Sequence, residues 1–522
     1  MKKNILLFAL LSSLTFNAQS LDSIYYKSNF EQLLFEKSDS FKLGEHYLEG
    51  LFAIDSALDA KYAERKRKEL DDFIKSLDIQ KIEKYSDKKK IKYIFKTTHD
   101  RFFNKYQDIA NFNLIFKEGT YNCVSATALY SYIFEKLKIP YQIKETPSHI
   151  YLVAYPNDSN IYVETTIPGN NGFYVPSDND MQKAVNDLIT SKLITNEEVN
   201  NVGYKKAYMN FFYSKEYLLP YELIGIQYYN KAIFDFQNQD YESSYANFSK
   251  SEIFYNTKKV KYLKISSLSL LLDKSNFKNI KDIKNISTLL NDLEFKKDYL
   301  EKDVRFFVSN VITANENDEK FLINSIEIFN KNIINTEVKN VINKNFYHFI
   351  AESRFNQDKN TEDILFYALK AYELDKNNKI LETLISRTIL KSFFYVTPNE
   401  DNVSKLENYE KKYPFIKESI FYKKFILRIY SYMTNKYYYD KNSKVGESYF
   451  LKLKELIDIA KKENIELDQE LIGGAYWAVG AYYYGKSNFK KAKSILEEGK
   501  KIAPNHHNLN KVLSYVNEDL KY

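Results

Sequence analysis

The sequence predicts a mainly α-helical protein with a small α+β domain in its first half. Three observations predict it. The 522 residues hold only 13 glycines and 9 prolines, and both types interrupt helices. Apolar and charged residues recur at three- and four-residue spacing through most of the chain. Two short runs with strand character, 149–155 and 161–166, interrupt that pattern.

Taken in order, the chain begins with Lys2-Lys3, an apolar run from Ile5 to Leu11, then Ser12-Ser13 and Asn17-Ala18-Gln19. A charged, an apolar and a small-residue stretch in that order read as a secretory signal peptide over 1–18. Ala18 suits the residue before the cut, whereas Phe16 is large for its position. The apolar run is too short to cross a membrane, and no later segment has about twenty unbroken apolar residues. No integral membrane segment is therefore expected after cleavage. The expected location is exported, either periplasmic or extracellular. No cysteine stands directly after the cut, so a lipoprotein anchor there is not expected. The chain has a single cysteine, Cys123, which rules out an intrachain disulfide and leaves a thiol where thiols can oxidise.

Residues 19–89 read as an N-terminal helical region, with apolar and charged residues alternating in stretches such as Leu43 to Leu51. The basic clusters Arg65-Lys66-Arg67-Lys68 and Lys88-Lys89-Lys90 are flanked by Glu64, Glu69 and Asp87. With 76 basic and 69 acidic side chains leaving a net charge of +7, these read as solvated helix faces, and no nucleic-acid partner is expected.

Residues 90–200 form the expected α+β domain. Gly119 ends one helical stretch, and Asn122 is a candidate N-cap that would place Cys123 in the first turn of the next helix. Ala126, Leu129, Tyr130, Ile133, Phe134 and Leu137 then define one apolar face, and Pro140 is the expected stop. His149 opens the first strand-like run and Glu164 lies in the second, with the turn formers 156–160 between them. Antiparallel pairing puts His149 and Glu164 on one side of the sheet when paired positions have an odd sum. Pairing Tyr155 with Asn160 sums to 315 and pairing Tyr155 with Asp158 sums to 313; a one-residue slip would separate His149 from Glu164, and the sequence does not choose the register.

Residues 201–522 return to helix. Gly480, Tyr483, Ala492 and Pro504 fit the small, aromatic, alanine and proline positions of a 34-residue helical hairpin of tetratricopeptide type, and Gly499 keeps another small position. Weaker units surround Asp240-Tyr241, where Ser244 replaces the alanine, and 368–375. Roughly five to eight degenerate repeats of about 34 residues would fill the region. Such arrays bind peptides or proteins on their concave face, so a protein or peptide partner is expected.

Tyr121-Asn122-Cys123, 148–152 and Val163-Glu164-Thr165-Thr166 together resemble the core of the transglutaminase-like superfamily over about residues 90–175. The resemblance implies a papain-like arrangement, with Cys123 at a helix N-terminus and His149 and Glu164 on neighbouring strands. It implies Cys123 as nucleophile, His149 as base and Glu164 as the group orienting the imidazole. Glu164 departs from the aspartate more usual in the family, and no clear match exists for the upstream oxyanion-hole residue. The Cys123 amide is a candidate oxyanion donor, and Asn122 is read as a cap first.

The remaining histidines carry less. His99 reads as structural and His506-His507, beyond Pro504, as surface loop. No spacing suits a metal, and neither a phosphate loop nor a dinucleotide fingerprint is present, so no cofactor or metal is expected. Two functions follow. One is an exported cysteine-dependent acyl-transfer enzyme of peptidase or amidase type. The other is a non-catalytic interaction scaffold with the same fold.

Overall fold

Helix-breaking residues are rare, and in the computed structural model long helices dominate, beside a small sheet. The structure describes residues 25–146, 149–163, 177–190, 193–293, 297–393 and 396–521. The expected signal peptide, 1–18, lies outside them. Among the described residues no helix is long and apolar enough to cross a membrane. The chain divides into two units: residues up to Asp303 together with Ile328–Asn335, and Val304–Glu327 together with Thr336–Tyr522.

In the first unit, strand β1 (Lys105–Tyr106) pairs in parallel with β2 (Thr120–Tyr121), which runs directly into the Cys123–Lys136 helix. Gly119 makes the turn before β2 at φ +70°, and a Cβ there would meet the Cβ of Asn104 at 2.8 Å. Both demands select glycine. The helix starts as expected: Asn122 and Ser125 form a reciprocal capping box. It differs from expectation in burial. Val124 to Phe134 are all buried, so the helix has no solvent face in its middle. Its stop also differs. The helix ends at Lys136, and Lys138 takes φ +55° before Pro140 is reached.

Three antiparallel strands follow, in the order β3 (Tyr141–Thr146), β4 (His149–Ala154) and β5 (Ile161–Val163). Strand β3 has no counterpart in the two expected runs. Only Ile143 in it is fully buried, so its apolar signal is weak. Strands β4 and β5 pair Leu152 with Val163, Val153 with Tyr162 and Ala154 with Ile161, each summing to 315. This is the first of the two registers named above. Tyr155 (φ +50°) and Asn160 (φ +44°) flank the turn, and both the Asp158 and Asn160 N–H groups donate to the Tyr155 carbonyl, at 3.0 and 2.9 Å.

One apolar core links these elements to helices on either side of them in sequence. It takes in Leu34 and Phe35 from Asn29–Glu36, Leu129 and Tyr130 from the cysteine helix, Leu152 from β4, and Tyr228 and Phe248 from Glu222–Gln237 and Tyr241–Phe254. The last two helices form a hairpin. Asp240 caps the second by accepting from the Ser243 N–H at 3.1 Å. Ser244 is fully buried, donates to the Ala232 carbonyl at 3.0 Å and meets the Ser267 hydroxyl at 3.0 Å. The hydroxyl that replaces the expected alanine is thus satisfied by its neighbours.

The second unit ends in the helices Gln469–Gly485, Phe489–Ile502 and His507–Asp519. A Cβ on Gly480 would meet Leu496 at 2.4 Å and one on Gly499 would meet Tyr476 at 2.6 Å, so small residues set the close approach of the first two helices. His506 and His507 are not surface loop. His506 is buried and caps the last helix, its Nδ1 accepting from the Leu509 N–H at 3.2 Å, and His507 opens that helix. A neutral imidazole nitrogen can accept as a cap oxygen does, which the residue types usual at N-caps conceal.

Candidate functional site

Cys123 occupies the first helical position after Asn122. Asn122 is fully engaged. Its Oδ1 accepts from the Ser125 N–H at 2.9 Å, and its Nδ2 donates to the carbonyls of Asp108 at 3.0 Å and Ala110 at 3.1 Å. Its side chain therefore caps the helix and pins the preceding loop, with no amide hydrogen left for a bound oxyanion.

The cysteine residue keeps some exposed surface, but its sulfur lies deep in protein. Burial pushes the thiol up to about 11. Opposing this, the backbone N–H groups of Ile150, Val124 and Cys123 itself favour the thiolate. Two of these belong to the open end of the helix, where unpaired N–H groups and the helix dipole favour negative charge. The third belongs to β4.

Ile150 ties helix and strand together from both sides of its peptide. Its N–H faces the sulfur, and its carbonyl accepts from Thr127 Oγ1 at 3.3 Å. His149 is the preceding residue, paired with Thr146 of β3, whose hydroxyl donates to the His149 carbonyl at 3.1 Å. The imidazole stacks on Tyr151 with centroids 6.1 Å apart and planes at 11°. What joins Cys123 to His149 is therefore the start of β4. Glu164 lies outside the described residues, one position past the end of β5.

Two residues near the sulfur were not among the expected site residues. The Tyr106 phenol is raised well above its ordinary range, by burial first, then by the charge Cys123 carries when ionised and by Asp108. Its hydroxyl is hydrogen-bonded to Asp108. The pairing of β1 with β2 brings both beside the cysteine: Tyr106 sits opposite Tyr121, and the Gln107 N–H donates to the Tyr121 carbonyl at 2.9 Å. No spacing signal marks a two-residue strand, so nothing local in the sequence pointed to them.

Chemically, the arrangement offers a thiol, N–H groups directed at it, a phenol–carboxylate pair and an imidazole on the adjoining strand. Among the described residues no group of three or more His, Cys, Asp or Glu side chains is arranged to hold a metal ion. No family model matches this chain, nor does any curated protein.

Proposed function

We propose that the chain is an exported, cysteine-dependent acyl-transfer enzyme of transglutaminase-like type, cleaving a peptide or amide bond. The observation that carries this reading is the sulfur of a helix-start cysteine lying against the N–H of Ile150, the residue after His149. In the proposed reaction His149 takes the thiol proton as Cys123 Sγ attacks the carbonyl carbon. The oxyanion is stabilised by the Cys123 N–H. The C–N bond then breaks, and the leaving nitrogen takes the proton from His149. Water attacks the thioester, gives a proton through His149 back to sulfur, and releases the acid. Glu164 would orient the imidazole. Helices within 201–522, read as tetratricopeptide-like, would bind the protein or peptide that supplies the acyl group. Cleavage of residues 1–18 would leave Gln19 as the first residue of the exported chain.

The test uses a thiol-reactive probe that mimics an amide substrate. Cys123→Ala should abolish labelling, and His149→Ala should slow it by about a hundredfold or more. Equal labelling of parent and Cys123→Ala would remove the reading.

A second reading has its own observation. A thiol raised to about 11 is almost wholly protonated at neutral pH, as in an inert core cysteine. The chain would then be a scaffold that uses its helices to bind a partner and has no turnover. The pH profile of alkylation separates the two. A Cys123–His149 ion pair gives a reactive plateau below neutrality, which His149→Ala removes. The scaffold gives a rate that climbs only towards pH 11 and ignores that substitution.

A further inference from the structure

Two adjoining hollows lie between the helices Ala60–Ser76 and Asp87–Phe102, with volumes of about 520 and 940 Å³, and share Phe73, Ser76 and Arg101. Together they form one open groove, independent of the cysteine chemistry above. Its charge does not follow the bulk balance of the chain. Arg65 and Lys68 line one end, and Lys89, Lys92, Lys96 and Arg101 line the other, against Glu69, Asp72 and Asp100.

The same two helices sort their basic residues by face. Arg67 turns away to pair with Glu49 at 2.5 Å and Asp71 at 3.6 Å, and Lys66 pairs with Glu69 at 2.7 Å. Lys92 and Lys96 stand one turn apart, exposed along the groove, and neither has an ion-pair partner among the described residues. Arg101 reaches Glu69 only at 3.8 Å, and the Arg101 side chain is largely in solvent. Tyr85, Tyr93 and Phe73 supply half-buried aromatic walls, and Lys89 lies over the Tyr85 ring at 4.2 Å. The basic cluster read from sequence as a solvated helix face is thus divided, half neutralised and half presented to this groove.

We propose that the groove binds an acidic segment of polypeptide carrying aromatic or other large apolar side chains. Charge complementarity calls for an anion. The three carboxylates among the cations select its kind. A phosphate or sulfate polymer repeats its charge at every unit and meets each carboxylate with like charge. A polypeptide brings carboxylates to the lysines, backbone N–H groups to Glu69, Asp72 and Asp100, and apolar side chains to the tyrosine walls. Glutamate and phenylalanine in alternation satisfy all three.

The experiment measures fluorescence anisotropy of a fluorescein-labelled peptide alternating glutamate with phenylalanine, titrated with the full chain. Saturable binding should weaken at least about tenfold in Lys92→Glu/Lys96→Glu and should fall with added salt. Lys92→Gln/Lys96→Gln should weaken it less, in the same direction, and keeps the test decisive if the charge reversal fails to fold. Unchanged affinity in the glutamine pair overturns the proposal. So does equal affinity for the counterpart alternating lysine with phenylalanine. Tighter binding of a single-stranded oligonucleotide or of phosphatidylglycerol vesicles also overturns it, since the occupant would then be another class of molecule.

Discussion

At Cys123, burial and the N–H groups around the sulfur act in opposite directions, and burial prevails, leaving the thiol at about 11. The consequence for stability has a defined sign. A thiol that ionises near 8.5 in the unfolded chain and near 11 in the folded one favours folding fully below pH 8.5 and loses that contribution as pH rises towards 11. The loss amounts to about 3 kcal/mol at most, since a tenfold change in proton affinity is worth a little over 1 kcal/mol. Tyrosines ionise in the same interval, so the measurement is a difference. Cys123→Ala should flatten the fall in unfolding free energy between pH 9 and 11 relative to the parent chain. Identical slopes would show that the sulfur is not buried in this way. Two glycines give a second comparison. A Cβ on Gly225 would lie 2.5 Å from the Tyr255 Cβ, 2.7 Å from its backbone nitrogen and 2.8 Å from the Ser251 carbonyl, where no rotamer change gives relief. Gly225→Ala should cost about 1–3 kcal/mol as overpacking. Gly485 has nothing within 4 Å of such a Cβ and sits at the last turn of a helix, so Gly485→Ala should be neutral or stabilise by up to about 1 kcal/mol. Denaturant midpoints of the two variants decide.

Among elements, the hairpin β3–β4 is held by a buried charge cluster. Lys259 donates to Glu145 at 2.5 Å, as does the Tyr255 hydroxyl, and the ammonium lies 4.5, 4.9 and 5.1 Å from the ring centroids of Tyr213, Tyr229 and Tyr255. Burial lowers the lysine pKa and the Glu145 charge opposes that. A buried ammonium is tolerable here because carboxylate and aromatic faces replace its water. Removing one charge strands the other, so Lys259→Met and Glu145→Gln should each cost about 3–5 kcal/mol, while Lys259→Met/Glu145→Leu should cost much less than their sum. A double-mutant cycle by urea unfolding checks this; additive losses would mean the ion pair contributes nothing. None of this cluster was legible in the sequence, because Glu145 lies over a hundred positions before Lys259. What was legible was local. Asn122 as cap, Gly119 as turn and the small residues of the last hairpin each follow from one backbone position and its chemistry. The sequence did not choose the β4–β5 register; the adopted pairs sum to 315, one of the pairings it allowed, with Tyr155 and Asn160 at positive φ. Of the candidate site, Cys123 and His149 could be placed on adjoining elements. Tyr106 and Asp108 could not, because a parallel pair two residues long leaves no periodic trace. Nor could His506, whose burial depends on Gly473, where a Cβ would stand 2.8 Å from the imidazole.

On the scale of the whole molecule, the two units are interleaved in sequence, since Ile328–Asn335 returns to the first after Val304–Glu327 has entered the second. The core of the first unit also runs past residue 200, through Leu223, Ile224, Tyr228 and Phe248. A fragment ending at residue 200 should therefore fail to unfold cooperatively in urea, whereas the full chain should; a sharp transition in the fragment would show that the α+β domain is self-sufficient. One contact bears on the timing of synthesis. Glu31, in the first described helix, accepts from the Tyr228 hydroxyl at 2.9 Å and the Lys250 ammonium at 2.9 Å, and both are buried with it. The partners are made 197 and 219 residues later. At ribosomal rates of about 5–20 residues per second, Glu31 waits roughly 10–40 s for them. Until then the Asn29–Glu36 helix lacks the two donors that accompany its carboxylate into the core, so this packing cannot be completed before Lys250 has been made.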